Sequence, residues 1–229
     1  VVAALRPVGT GRRIPEATVV RLPVYRRILS ELLAVERETV HSEEMATLAR
    51  VNAAKLRKDL SLLGSFGTRG TGYDVAFLLA QIDRALGAER DWPVIVVGMG
   101  HLGTALANSE GFRTRGFHIE ALFDADPGVV GREVAGVTVQ PITALATVAD
   151  QATRAIGVVA TPPSVAQEVT DALVGIGVTA ILNFAPQVLS VPHDVLLRQV
   201  DLGTELQVLS FFQLRRQLGE VSSGGGAAS

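Results

Sequence analysis

The chain has 229 residues, 48% of them hydrophobic and 19% charged, which excludes a disordered polymer and suits one large domain or two modest ones, each able to bury a core without covalent staples. It contains no cysteine, so disulfides, thiolate zinc sites, iron–sulfur clusters and thiol nucleophiles are excluded together, and any redox role must be borrowed from a bound cofactor. The formal net charge of −2 conceals a division: residues 1–90 hold fourteen Lys/Arg against ten Asp/Glu, a net +4, and residues 91–229 hold seven against thirteen, a net −6, as expected of a part that meets a polyanion joined to a part that does not.

The longest apolar runs, such as Val94 to Val97, are strand-sized. No charged-then-apolar leader opens the sequence, and the expectation is a cytoplasmic protein with neither membrane nor metal as partner. Residues 1–15 and 219–229, rich in Gly, Pro and Ser without apolar period, are expected to be disordered. Tyr25, Ile28, Leu29, Leu32 and Leu33 repeat at helical spacing behind Pro23 and predict a first amphipathic helix. Ser42 is placed to cap a short second helix with Met45, Leu48 and Ala49 inward, and a turn follows at Arg50 to Asn52.

Asn52 is a good N-cap for a third helix that runs to about Leu63, with Gly64 as its stop. Leu56, Leu60 and Leu63 form its inner stripe; Lys55 and Lys58, the only lysines in the chain, point away, and Arg57 and Ser61 lie on the flank. Such a face, on the second helix of a helix–turn–helix, suits phosphates and base edges in a major groove. Four glycines from Gly64 to Gly72 predict a tight β-hairpin with Arg69 near its tip, a wing for the adjacent DNA backbone or minor groove. Asp74 then caps a fourth helix that Gly87 closes. These elements make residues 16–90 a winged helix-turn-helix domain in which Asn52, Lys55, Arg57, Lys58, Ser61 and Arg69 are the candidate contacts to double-stranded DNA.

After Trp92 and Pro93 the rhythm changes to short β-branched runs alternating with helical stretches, the pattern of a parallel sheet covered on both faces. Strands are predicted at 94–97, 119–123, 137–139, 155–160, 180–182 and 195–200, with helices starting near His101, Pro141, Pro163 and Leu202. Gly98-Met99-Gly100-His101-Leu102-Gly103 follows the first strand and opens a helix. Gly98 permits the turn, Gly100 lets a pyrophosphate approach the backbone, and Gly103 lets the helix close on the sheet. Asp124, twenty-one residues beyond Gly103, stands where a carboxylate accepts from adenosine ribose hydroxyls and repels a 2′-phosphate, favouring NAD over NADP. Thr161-Pro162 and Asn183-Phe184-Ala185-Pro186 are turns at the carboxyl ends of neighbouring strands, the edge where open α/β sheets place ligands.

Residues 91–201 are therefore expected to form a Rossmann-like NAD-binding domain. It contains no lysine and no tyrosine, and its histidines lack an evident carboxylate partner, so nothing announces hydride-transfer catalysis. In residues 202–218, Leu206, Val208, Leu209, Phe211, Phe212 and Leu214 distribute around the whole circumference of a helix. That predicts insertion into a second subunit, a homodimer with exchanged C-terminal helices, the alternative being burial within its own subunit.

Arg21-Leu-Pro-Val-Tyr-Arg26, Arg57-Lys-Asp-Leu60, Phe66-Gly-Thr-Arg-Gly-Thr-Gly-Tyr73, the glycine fingerprint, Phe123-Asp-Ala-Asp-Pro127 and Asn183-Phe-Ala-Pro186 together resemble the redox-sensing transcriptional repressor Rex family, over about residues 14 to 217. The resemblance implies an α/β protein: a winged-helix domain fused to a Rossmann domain, dimerised through swapped C-terminal helices and released from a palindromic operator by NADH. Arg21 and Asp201 are a candidate pair for locking one domain arrangement. Two departures stand out: the stretch Asn108 to Gly111 lacks the tyrosine common in the family, and Leu62-Leu63 stands where an aromatic pair is usual. The rival expectations are an NAD-dependent oxidoreductase with a basic accessory domain, and a nucleotide- or CoA-binding module without DNA affinity.

Overall fold

The computed structural model describes residues 14–64 and 72–218. Most of the two terminal segments, and the glycine-rich wing with Arg69, lie outside the described residues. The chain divides into two compact units, the first running to Asp91 together with Phe112–Gly116, the second Trp92–Gly111 together with everything from Phe117 on.

In the first unit, a short α1 (Glu16–Val19) leads into α2 (Leu22–Ala34), followed by β1 (Thr39–Val40), α3 (Ser42–Leu48), α4 (Ala53–Ser61), β2 (Tyr73–Asp74) and α5 (Val75–Leu86). Pro23 occupies the first turn of α2, where its missing N–H has no partner to lose. The helix buries Leu22, Tyr25, Ile28 and Leu29 against Leu78 and Ile82 of α5 and Leu56 and Leu60 of α4. Leu33 and Leu48, both expected inside, are exposed. Residues 65–71 of the expected tight hairpin lie outside the described residues; after them Tyr73 opposes Val40 and Asp74 opposes Thr39 in a long-range antiparallel pairing. Asp74 caps α5 by accepting the Phe77 N–H at 2.7 Å, and Gly87 closes it at φ 69°.

The second unit is a seven-stranded sheet. Its strands are β3 (Trp92–Val97), β4 (Phe117–Asp124), β5 (Glu133–Val134), β6 (Val137–Pro141), β7 (Ile156–Val159), β8 (Ala180–Asn183) and β9 (Leu196–Gln199). The order is β5-β6-β4-β3-β7-β8-β9, and every pairing except β5 with β6 is parallel. Omitting the edge strand β5, this is the 3-2-1-4-5-6 order of the doubly wound dinucleotide-binding fold, whose direction reverses between β3 and β7. The helices are α6 (His101–Ala107), α7 (Glu110–Arg113), α8 (Ala149–Ala152), α9 (Pro163–Gly175) and α10 (Leu202–Gln217).

Residues of β3 alternate between two cores. Ile95 and Val97 face a cluster with Phe123, Leu173 and Ile181; Val94 and Val96 face one with Leu122, Val139 and Val158. Burial on both faces is what a continuous β-branched run requires. The helix expected from Pro141 is a 3-10 helix over Ile142–Val148 instead. The second strand-to-strand connection, after Asp124, carries the β5–β6 hairpin and no α-helix.

No residue of α10 is buried: its large apolar side chains from Leu206 to Leu214 are 47–66% exposed. Burial within its own subunit is thus not how this chain covers them. No helix among the described residues is long and apolar enough to cross a membrane, and no cluster of metal-ligating side chains occurs among them.

Candidate functional site

At the switch point, β3 ends at Val97 and the chain turns sharply. Gly98 holds φ 98°, and a Cβ there would lie 2.7 Å from the carbonyl of Ala160. Its N–H donates to the Phe123 carbonyl at 2.9 Å, tying the turn to β4. Gly103 has a different neighbour from the one expected: a Cβ on it would sit 1.8 Å from the Gly98 carbonyl oxygen and 3.6 Å from Ala160 Cβ. The missing side chain lets α6 close on the glycine turn itself rather than chiefly on the sheet. Gly100 is the opposite case, for a Cβ there would meet nothing within 4 Å. Its φ of −66° is open to any residue. Neither packing nor φ therefore excludes a side chain at 100, though glycine is a better N-cap than alanine, and the bare backbone there leaves room for close approach of a ligand.

A cavity of about 660 Å³ opens over this turn, within the range of small-molecule sites. Gly98, Gly100, His101, Leu102, Asp124, Thr161 and Pro162 line it, all expected from the sequence. Asp126, Val129, Ile142, Val165, Glu168, Val169 and Ala172, which were not expected, line it too. The Thr161 hydroxyl is buried with no hydrogen-bond partner among the described residues, which leaves it able to donate to or accept from a bound group. Asp124 stands at the end of β4, but its carboxylate already accepts from the Met99 N–H at 2.6 Å and the Asp126 N–H at 2.8 Å. It ties down the glycine turn first, leaving only its remaining lone pairs for a ribose. Carboxylates at 124, 126 and 168 give the wall a negative character hostile to an additional phosphate.

The Asn183 turn departs from expectation. Asn183 is fully buried; its amide donates to the carbonyls of Ala185 and Gln187 and to Gln199 Oε1 at 2.6 Å, while its Oδ1 accepts the Ala185 N–H at 2.9 Å. These bonds hold the turn after β8, so Asn183 shapes the strand end, with only a remaining lone pair of its Oδ1 to offer a cofactor. Ala185 is buried, Phe184 packs on the core cluster of Val94 and Val96, and Pro186 is exposed. Met99 is buried in that same cluster, so its side chain serves packing.

In the first unit, α3 and α4 form the helix–turn–helix. The turn is closed by the Arg50 N–H on the Thr47 carbonyl and the Val51 N–H on the Ala46 carbonyl, with Arg50 left-handed at φ 54°. Asn52 caps α4 by accepting the Lys55 N–H at 2.7 Å. Ser42 is not a cap: His41 holds that position, and the Ser42 hydroxyl donates to Glu43 and accepts from Arg57. Arg57 also pairs with Glu43 at 2.9 Å. The Glu43 carboxyl is held below its usual range by its own backbone N–H, by Ser42 and by Arg57. Ser61 turns back onto the Lys58 carbonyl. Lys55 and Lys58 are exposed and have no ion-pair partner among the described residues.

Arg21 and Asp201 each have partners within their own unit. Asp201 caps α10 through Gly203 and Thr204, which hold its carboxyl below the usual range, the Thr204 contacts contributing most. Arg21 grips Asp59 of α4 with two N–H groups, Nε to Oδ2 at 2.6 Å and Nη2 to Oδ1 at 2.7 Å. A lock between Arg21 and Asp201 would have to compete with these bonds. Asp59 was not singled out from the sequence, although it lies three residues from Leu56 and four from Leu63, on the inward stripe of α4.

Comparison with known proteins accords with both units. Residues 89–187 match the family model described as "CoA binding domain", and residues 13–61 match "Putative DNA-binding protein N-terminus". The chain is 55% identical over 225 residues to the redox-sensing transcriptional repressor Rex of Streptomyces coelicolor, covering 98% of this chain and 87% of the relative. This chain belongs to the Rex family. A solved Rex-family structure, described as RSP in complex with β-NAD+ and operator DNA, superposes with a TM-score of 0.84 at 33% identity over 94% of this chain and all of that one. RSP in complex with β-NADH gives a TM-score of 0.82 at 32% identity, over 90% of this chain and 97% of that one. The relatives carry the name of a repressor and not of an enzyme, in keeping with the lack of lysine and tyrosine in residues 91–229. In the stretch Asn108 to Gly111 of this Rex chain, the Ser109 N–H closes the end of α6 on the Leu106 carbonyl.

Proposed function

We propose that this protein is a redox-sensing repressor: it binds operator DNA as a homodimer and is released when NADH occupies the cavity at Gly98–Gly103. The observation that carries the reading is the pairing, in one chain, of a cavity over an unhindered Gly100 with a helix–turn–helix whose Lys55 and Lys58 are exposed and have no ion-pair partner among the described residues. A relative at 33% identity, matched over its whole length, was crystallised with both NAD+ and operator DNA.

The residues present fit a dinucleotide. Gly100 admits the pyrophosphate to the backbone, the spare lone pairs of Asp124 suit ribose hydroxyls, and the unpartnered Thr161 hydroxyl offers a hydrogen bond. Asp126 and Glu168 add charge against a 2′-phosphate. When bound, the dinucleotide supplies a nicotinamide that is positive when oxidised and neutral when reduced. The protein converts this into a signal only if it binds the two forms unequally in two conformations. Moving a dimer from nearly all DNA-competent to nearly all released takes about 5.5 kcal/mol, or roughly a hundredfold preference at each of two sites.

The exposed apolar circumference of α10 supports a homodimer in which each C-terminal helix is covered by the other subunit. A two-fold dimer predicts a palindromic operator. A cytoplasmic location belongs to the same reading. The test is a gel shift on a palindromic duplex with NAD+ or NADH added. NADH should release the duplex and NAD+ should not, while Lys58→Ala should weaken duplex binding with NADH affinity intact. Equal grip in both cofactors overturns the reading.

A further inference from the structure

The most heavily hydrogen-bonded buried charge in the first unit belongs to neither the cofactor cavity nor the exposed face of α4. Asp59 is 2% exposed, and its two oxygens receive four hydrogen bonds from the α1–α2 segment. Thr18 Oγ1 donates to Oδ1 at 2.9 Å and Tyr25 OH to Oδ2 at 2.8 Å, beside the two bonds from Arg21. Burial alone pushes this carboxyl up, but the hydrogen bonds of Arg21, Tyr25 and Thr18 and the Arg21 charge outweigh it and hold the group below the usual carboxylate range. The aspartate is therefore an anion in the core, immediately after Lys58 in the chain.

Stability alone does not call for a charge here. A leucine at this position on the inward stripe would pack as Leu56 and Leu60 do, and replacing a buried ion pair by apolar residues is often neutral or stabilising. What apolar contacts lack is direction. The nine-residue α4 is held otherwise by Leu56 and Leu60, apolar contacts that tolerate rotation of the helix about its own axis, and by the exposed Arg57, whose bonds to Ser42 and Glu43 of α3 are open to solvent and hold the helix only weakly. At a side-chain radius of about 5–6 Å, a 20° roll moves an outward group by roughly 2 Å, enough to break a hydrogen bond to a base edge.

We propose that Asp59 is a positioning residue for DNA reading: its bonds to Arg21, Tyr25 and Thr18 fix the roll of α4 so that Lys55 and Lys58 face outward in one register. This rests on the proposed repressor function. It assigns Arg21, which grips α4 through Asp59, a part in sequence discrimination without contact to DNA.

The experiment compares full-length wild type with Asp59→Asn, with the apolar double variant Arg21→Met/Asp59→Leu, and with Tyr25→Phe. The probes are a palindromic duplex selected by the wild type from a random pool and a scrambled duplex of equal length. Asp59→Asn and the double variant should lower the selected-to-scrambled affinity ratio at least tenfold, while scrambled binding at low salt stays unchanged because the lysines remain. Tyr25→Phe, which removes one bond without changing shape, should lower the ratio two- to fivefold. A double variant that melts at or above the wild-type temperature and keeps the ratio overturns the proposal. Should the two Asp59 variants fail to fold, an unchanged ratio in Tyr25→Phe does so. Absence of salt-sensitive duplex binding by the wild type would instead refute the repressor reading itself.

Discussion

Alanine at Gly100 and at Gly103, made separately, should part cofactor binding from stability. At Gly103 the new Cβ lies 1.8 Å from the Gly98 carbonyl oxygen, and since non-bonded heavy atoms rarely approach within about 3 Å, α6 must retreat by more than about 1 Å. The obstacle is backbone, so no side-chain rotation relieves it. Overpacking of this kind costs about 1–3 kcal/mol, with a rigid contact at the upper end. The better helix propensity of alanine returns about 1 kcal/mol. The net loss of about 2 kcal/mol should lower Tm by about 4–8 °C in a domain of this size. At Gly100 the Cβ enters open space at φ −66°. The reduced entropy of the unfolded chain favours alanine by about 0.4–1 kcal/mol, and the poorer N-cap cancels most of it. Tm should stay within about 2 °C of wild type. NADH affinity should nonetheless fall at least tenfold, about 1.4 kcal/mol, because the methyl group takes the space of the approaching phosphate. Thermal melts and NADH fluorescence titrations read both quantities. A Gly100→Ala protein that titrates as wild type would remove the pyrophosphate from this backbone, and an unshifted melt for Gly103→Ala would refute the packing argument.

Asp124→Ala should weaken discrimination against NADPH in parallel titrations of the two cofactors, and should also lower Tm by a few degrees through loss of its bond to the Met99 N–H; an unaltered preference would take Asp124 out of the ribose site. Phe211→Asp together with Leu209→Asp should leave a folded monomer by sedimentation velocity, with NADH bound and duplex affinity lost; a persisting dimer would place the subunit contact elsewhere. The Tyr25 phenol, pushed up to about 12 first by burial and then by Asp59, keeps its proton in the folded state where the unfolded chain loses it near 10. Its contribution is therefore complete below pH 10 and lost as pH rises through about 12. Urea midpoints should fall across that window for wild type, by the equivalent of about 2–3 kcal/mol, and less steeply for Tyr25→Phe.

What could be read in advance was local. Asn52 and Asp74 each sit three residues from the N–H group they cap, Gly87 needs only its own φ, and the glycine run needs only the strand before it and the helix after it. Circumferential apolarity in α10 was equally visible, because it concerns one helix. Asp59, which was not singled out, and Asn183, which was assigned a different role, have decisive partners distant in the chain, whereas the Ser42 cap failed locally, by one position to His41. Asp59 meets residues 34 to 41 positions away, and no window of helical length contains both ends of those bonds. Asn183 looked like a ligand group because polar residues at strand ends often are; its bond to Gln199 on the neighbouring strand β9 turns it into a brace. Gly103 was right in kind and wrong in neighbour, since a turn must be built before it is known which atom a missing side chain makes room for.

Asp59 and Asp124 show how the same residue type serves two ends of the molecule. Each carboxylate accepts from groups brought to it by the fold, and each lies next to the surface that does the reading: Asp59 follows Lys58 in α4, and Asp124 holds the Met99 N–H beside Gly100. In neither case is the charge needed to fill space. A directional acceptor fixes an orientation that apolar packing leaves soft, and both proposed ligands, a duplex and a dinucleotide, are distinguished by contacts that fail when displaced by an ångström or two. That is why the least soluble position for a carboxylate, the inner stripe of a short helix, is a physically sensible place to put one.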